Sequence, residues 1–262
     1  MNSVAKRFSR AAQTYERGAS LHRHVASRLM ERLPDQSEVG AGRILEVGCG
    51  SGVLTEPLRR RFPEASLCVL DVAEGMVSAV RERWGQDPRM DFVVADIREF
   101  CAPRPFDLIA SSSALHWATP LDRTFAHLKR LLSPDGRCCA ALMVDGTLGE
   151  LHALRRRVAP GKIPAGRLPA EADVLAAAGS AGFTVVYSEK ECIQTHYHSA
   201  DDLLSTLHAQ GLTGGTVSKA SALLSRTELN RLRRDYDVAF RDTGDGVYAS
   251  FVVFYIQLDS CA

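Results

Sequence analysis

The residues best placed to do chemistry lie in the run Ile44-Leu45-Glu46-Val47-Gly48-Cys49-Gly50-Ser51-Gly52. Glycines at alternate positions follow a short apolar stretch and open a helical pattern. Glycine tolerates positive φ, so such a loop turns tightly and lets a ligand come close to the backbone. The glycines alone would also suit a bare strand-to-helix turn. Two acids weigh against that. Asp71 ends the next strand pattern about 20 residues on, where a carboxylate can accept bonds from ribose hydroxyls. Asp96 ends the third, in Val93-Val94-Ala95-Asp96-Ile97, placed to face a base. Glu46 stands two residues before the first glycine and suits a ligand with a positive amino group better than a pyrophosphate. No cationic residue enters the loop to meet phosphates. The spacing is G-x-G-x-G, not the G-x-G-x-x-G of dinucleotide folds, which weighs against an NAD-linked dehydrogenase.

These residues need a sheet to hold them, and the pattern supplies one. Apolar strand runs at Arg43–Val47, Ser66–Leu70, Asp91–Ala95, Phe106–Ala110 and Arg137–Met143 alternate with helical runs at Gly52–Phe62, Glu74–Trp84 and Leu121–Leu132. Parallel strands need crossovers of this length, and right-handed crossovers give a doubly wound α/β sheet with helices on both faces. Before it, Val4–Leu33 repeats apolar residues at helical spacing, with Gly18 as a possible break. After Gly146 the pattern predicts helices over Gly149–Val158, Ala170–Ala181, His198–Gln210 and Ser225–Phe240. It also predicts strands over Phe183–Ser188 and Val247–Leu258, the last inserted antiparallel. The expected organisation is an N-terminal helical lid segment (1–40), a core (41–145), and a lid insertion that also completes the sheet (146–262).

Composition narrows the classes further. With 32 Lys plus Arg against 31 Asp plus Glu, overall charge points to no polyanionic partner, and nucleic acid is not expected. Seven cysteines occur without a C-x-x-C pair or zinc-like His spacing, so no metal site is expected and a reducing compartment is. No apolar run reaches the ~18 residues of a membrane span, and no secretory pattern opens the chain. The expectation is a cytoplasmic protein free of membranes.

The segment Glu46–Gly52 with Asp71, Asp96 and Phe106-Asp107-Leu108-Ile109 resembles the class I methyltransferase core over roughly Gly42 to Met143. That resemblance implies S-adenosyl-L-methionine as cofactor, leaving S-adenosyl-L-homocysteine as product. It puts Glu46, Gly48, Gly50 and Gly52 around the amino acid end, Asp71 on the ribose, and Asp96 with Ile97 on the adenine. Met76 would pack on the adenine's other face, or serve as a core methionine.

Two further segments bear on the acceptor. Arg10-Ala11-Ala12 with Tyr15, and Leu115-His116-Trp117 after the fourth strand, resemble the malonyl-acyl carrier protein O-methyltransferases of biotin biosynthesis. Those enzymes esterify the free carboxyl of a malonyl thioester. They typically carry Leu-Gln-Trp where this chain has Leu115-His116-Trp117, a form also found in the similar trans-aconitate methyltransferases. The resemblance implies malonyl-acyl carrier protein or malonyl-CoA as substrate, with a free small carboxylate or a non-catalytic cofactor-binding module as alternatives. A malonyl carboxyl has a pKa of roughly 3–4 and is ionised at neutral pH, so no acid–base dyad is needed. Positioning and desolvation remain. Tyr15 would orient the substrate or close over the cofactor, His116 would hydrogen-bond the carboxylate, and Trp117 would wall the pocket. Arg10 could pair with a carboxylate or be solvated. Arg155, Arg156 and Arg157, with Lys162 and Arg167, form a local basic cluster that reads either as a docking surface for an acidic carrier protein or as a solvated face.

Overall fold

A computed structural model describes residues 8–9, 20–40, 42–162, 167–210, 223–242 and 244–260. The strands are β1 (Arg43–Val47), β2 (Ser66–Asp71), β3 (Met90–Val94), β4 (Phe106–Ser112), β5 (Leu132–Met143), β6 (Thr184–Tyr197) and β7 (Val247–Asp259). They form one sheet in the order β3-β2-β1-β4-β5-β7-β6. The first five strands pair in parallel. β7 enters antiparallel between β5 and β6, as its pattern predicts.

The helices are α1 (Ser20–Met30), α2 (Gln36–Val39), α3 (Thr55–Arg61), α4 (Glu74–Trp84), α5 (Leu121–Leu131), α6 (Gly149–Val158), α7 (Glu171–Ser180), α8 (Ala200–Ala209) and α9 (Arg226–Ala239). Strand alternation divides the core between the two faces of the sheet. Val25 and Leu29 of α1, Leu58 of α3 and Val80 of α4 pack with Val69, Ala141 and Tyr255 on one face. Phe125 and Leu128 of α5 and Val174 of α7 pack with Leu70, Ala140, Phe254 and Ile256 on the other. Neighbours such as Phe254 and Tyr255 point to opposite faces, as a period of two requires. Cys138 and Cys139 divide in the same way, each a buried free thiol. Among the described residues no helix is long and apolar enough to cross a membrane.

Two expectations need correction. The predicted strand Phe183–Ser188 is much longer, and β6 runs on to Tyr197. β6 is the edge strand, and its half-buried face carries Glu189 and Glu191 where an apolar residue would have marked a strand. Those acids are satisfied from elsewhere. Arg32 pairs with Glu189 and stacks 4.6 Å from the Tyr255 ring, while His24 and the Tyr255 hydroxyl each reach Glu191 at 2.9 Å. This cluster fixes the end of α1 against the β6–β7 edge. The second correction is at the first core helix, which begins at Thr55, so the glycine loop extends past Gly52. α9 opens with a capping box: Ser225 Oγ accepts the Glu228 N–H at 3.2 Å, and Glu228 accepts the Ser225 N–H at 2.6 Å.

Candidate active site

The carboxyl ends of β1, β2 and β4 open onto a cavity of about 190 Å³, which is where parallel α/β sheets place their ligands. Gly48 and Gly50 form part of its wall, with φ of +76° and +52°. At Gly48 a side chain has no room, since a Cβ there would lie 2.2 Å from the Cβ of Ala114. Above Gly50 the space is open for 4 Å. Gly52 behaves differently. It is absent from the cavity wall, and a Cβ there would meet the Trp84 ring at 2.9 Å. Here the loop packs closely on α4.

Asp71 ties the loop to β2. One carboxylate oxygen accepts the Gly50 N–H at 3.0 Å and the other the Ala73 N–H at 2.8 Å. Burial raises its pKa, against the pull of these backbone bonds. Asp96, with Ile97 and Met76 beside it on the wall, is held by Arg98, whose Nε donates at 2.9 Å and whose hydrogen bonds keep the carboxyl below its usual range.

Glu46 lies behind the loop and is almost wholly buried. Its Oε2 accepts the Thr55 hydroxyl at 2.7 Å, while Oε1 has no hydrogen-bond partner among the described residues. Desolvation pushes its pKa up to about 8, opposed by the Thr55 bond and reinforced by Asp71. A buried carboxylate oxygen left without a donor fits a ligand that brings a positive amino group. Together with the open space over Gly50 and the Asp71 carboxylate on the wall, it matches the amino acid and ribose portions of S-adenosylmethionine.

On the other side stand His116 and Trp117, in the short 3-10 turn Leu115–Trp117 after β4. The Met143 N–H donates to His116 Nδ1 at 3.3 Å, which leaves the proton of the neutral ring on Nε2. Burial, then the nearby His22, pushes the His116 pKa down to about 3, so the ring is an uncharged donor. Trp117 packs against His116 with centroids 5.2 Å apart and against Phe8 at 5.8 Å. Ser9 Oγ accepts the Gly75 N–H at 3.4 Å, which brings Ser9 over the first turn of α4. Tyr15 and Arg10 lie outside the described residues.

Three wall features escaped sequence reasoning. His22 enters from α1. Ser113 takes φ of 57°, an uncommon conformation for a residue with a side chain, and its buried hydroxyl has no partner among the described residues. Leu148 has φ of 54°. His22 carried a signal: it sits on the stripe Leu21, Val25, Ala26, Leu29 that α1 turns inward.

The basic cluster does not form one free patch. Arg155 Nε donates to the Lys162 carbonyl at 3.1 Å, Arg157 pairs with Asp235 at 3.0 Å, and Lys162 pairs with Glu228 at 2.7 Å. Arg167 lies 3.6 Å from Asp145. Arg156 is exposed and makes no hydrogen bond or ion pair among the described residues.

A sheet of this order, with a glycine loop after β1 and acids beyond β2 and β3, defines a class I S-adenosylmethionine-dependent methyltransferase. Residues 44–136 match the family model described as a methyltransferase domain. A malonyl-acyl-carrier protein O-methyltransferase of Geobacter sulfurreducens is 31% identical over 259 residues, covering 96% of each chain. One from Ilyobacter polytropus is 26% identical, covering 97% of this chain and 96% of its own. The chain belongs to the family of malonyl-acyl-carrier protein O-methyltransferases. The fold is also that of the YcgJ protein from Bacillus subtilis (TM-score 0.61, 15% identity, covering 91% of this chain and 99% of that one).

Proposed function

We propose that this enzyme methylates the free carboxylate of a malonyl group carried as a thioester on an acyl carrier protein, giving the methyl ester as an early step of biotin formation. The observation that carries the reading is the near-full-length similarity to the Geobacter sulfurreducens enzyme, since it extends through the residues that build the acceptor side of the cavity. The chemistry of the wall supports it. When bound, S-adenosylmethionine would supply an electrophilic methyl on sulfur, and transfer would form a carboxylate O–CH3 bond as the S–CH3 bond breaks and its electron pair stays on sulfur. An ionised carboxylate can do this without losing a proton, so no general base is required. The residues around the cavity fit that chemistry. Glu46, Gly48, Gly50, Asp71, Met76, Asp96 and Ile97 would hold the cofactor, and the walls offer neutral donors and apolar surface. His116 Nε2–H would hold one carboxylate oxygen and leave the other free to react. Trp117 and Phe8 would exclude water, which strengthens every electrostatic contact inside. Tyr15 would take a second orienting role.

The experiment is methyl transfer from labelled cofactor to malonyl-acyl carrier protein, malonyl-CoA, free malonate and trans-aconitate. Product on the thioesters alone supports the reading. Product on the free acids alone overturns it, and cofactor binding without transfer to any carboxylate would make the chain a binding module.

A further inference from the structure

Asp96 and Trp117 line the cavity from different elements, one after β3 and the other after β4. A single side chain spans them. Arg98 Nε donates to Asp96 Oδ1 at 2.9 Å, Nη2 donates to Oδ2, and Nη1 donates to the Thr119 carbonyl at 2.9 Å. Thr119 stands two residues past the Leu115–Trp117 turn that presents His116 and Trp117. A guanidinium is planar and holds its donors in a fixed fork, so both partners are set in one frame. The Arg98 backbone N–H also donates to Asp96 Oδ1, at 3.0 Å. Of the roughly four lone-pair sites on the carboxylate, Arg98 thus fills two on Oδ1 and one on Oδ2. The site it leaves is on Oδ2. Both side chains are partly exposed, and an ion pair this open adds little to stability. What it supplies is direction.

We propose that Arg98 is a positioning residue joining the cofactor and acceptor halves of the site. Its guanidinium aims the remaining lone pair of Asp96 at the 6-amino group of adenine and, through Thr119, sets the turn that carries His116 and Trp117. The inference rests on the reading of the cavity as a seat for S-adenosylmethionine beside a malonyl thioester. An amino group at that position of the base donates to a carboxylate, whereas an oxo group sets one acceptor against another. Asp96 so held favours adenine over hypoxanthine. Lysine would be no full substitute, because a point charge cannot serve a carboxylate and a carbonyl in one plane. The base seat and the acceptor wall become parts of one rigid unit, so filling the first steadies the second.

The test compares S-adenosylhomocysteine with its analogue carrying hypoxanthine in place of adenine, on the full chain and on Arg98→Ala and Arg98→Lys. By titration the unsubstituted protein is expected to prefer the adenine compound about 10-fold, the scale of a hydrogen bond to a charged group. Arg98→Ala should cut that preference to about 2-fold, and Arg98→Lys, which can still pair with Asp96, should keep most of it. The acceptor side is read by amide hydrogen exchange at Trp117 and Ala118, whose N–H groups donate to the Ala114 and Leu115 carbonyls at 3.0 Å. S-adenosylhomocysteine should slow that exchange in the unsubstituted protein and leave it unslowed in both variants. The KM for the malonyl thioester at saturating cofactor should rise about 5- to 10-fold in both. An undiminished base preference in Arg98→Ala, ligand-slowed exchange in either variant, or an unchanged KM would overturn the bridge. If Arg98→Ala fails to fold, the exchange and KM of Arg98→Lys decide. No preference for adenine in the unsubstituted protein would refute the seat given to Asp96, and the bridge with it. Base preference and exchange are measured without acceptor. Absence of transfer to malonyl-carrier protein would therefore refute the substrate reading and leave the bridge standing.

Discussion

Thr55 Oγ1 donates to Glu46 Oε2 at 2.7 Å, so the glycine loop is bridged from the end of β1 to the start of α3, while the second carboxylate oxygen has no donor among the described residues. The folded protein holds the Glu46 proton up to about pH 8, whereas its ordinary value is 4.5. The folded state thus binds more protons across that window, and stability falls as pH rises through it. Glu46→Gln mimics the protonated form. It should melt close to the unsubstituted protein in mild acid and above it at alkaline pH, in thermal scans without ligand. The same change should weaken S-adenosylhomocysteine about 10- to 100-fold, since a charge-assisted bond is lost. Binding that ionises Glu46 must release a proton, detectable by calorimetry in buffers of different ionisation enthalpy.

The histidines reverse the sign. Below about pH 6.5 the unfolded chain protonates His22 and His116, and the folded protein resists until about 4 and 3. Stability contributed by the neutral rings is therefore lost as pH falls from 6.5 towards those values. The double substitution His22→Gln and His116→Gln should lose less melting temperature on acidification than the parent. Neither ring should contribute an ionisation to the rate profile near neutrality.

The loop glycines should separate by what surrounds them. Gly48→Ala meets Ala114 and an unfavourable φ together, and should cost about 1–3 kcal/mol of stability as well as cofactor binding. Gly50→Ala meets open space and should cost about 1–2 kcal/mol through φ alone. Its larger effect should be on S-adenosylhomocysteine affinity, read by titration, because the added methyl occupies the ligand's room.

Arg156 and Arg157 offer a paired test of docking. Arg156 has no described partner, whereas Arg157 is engaged by Asp235. Arg156→Ala should raise the KM for malonyl-carrier protein about 2- to 5-fold at low salt, the scale of one exposed charge, and the gap should close as salt rises. Arg157→Ala should do less, and malonyl-CoA should respond to neither. Steady-state kinetics at two ionic strengths would show it.

The sheet and the cofactor side were legible because their signals are local. Gly48, Gly50, Asp71 and Asp96 stand at strand ends that hydrophobic runs announce, and backbone geometry does the rest. What escaped depends on pairing across the chain. β6 carries Glu189 and Glu191 on its inner face, and nothing near them in sequence reveals that Arg32, His24 and Tyr255 will meet them. His22 reads as one polar letter in a helix until the fold turns it to the cavity wall. The close approach of Gly52 to the Trp84 ring likewise has no mark in the glycine pattern itself. Of the acceptor residues, Arg10 and Tyr15 remain expectations from their motif.

The seating of β7 between β5 and β6 has a consequence for the order of assembly. As the chain is made, β6 emerges before β7, its strand partner among the described residues. The first five strands and the cofactor loop can form before then, but the wall that includes Phe251 of β7 cannot. A nascent chain would therefore acquire a place for the methyl donor before it has a finished chamber for the acceptor.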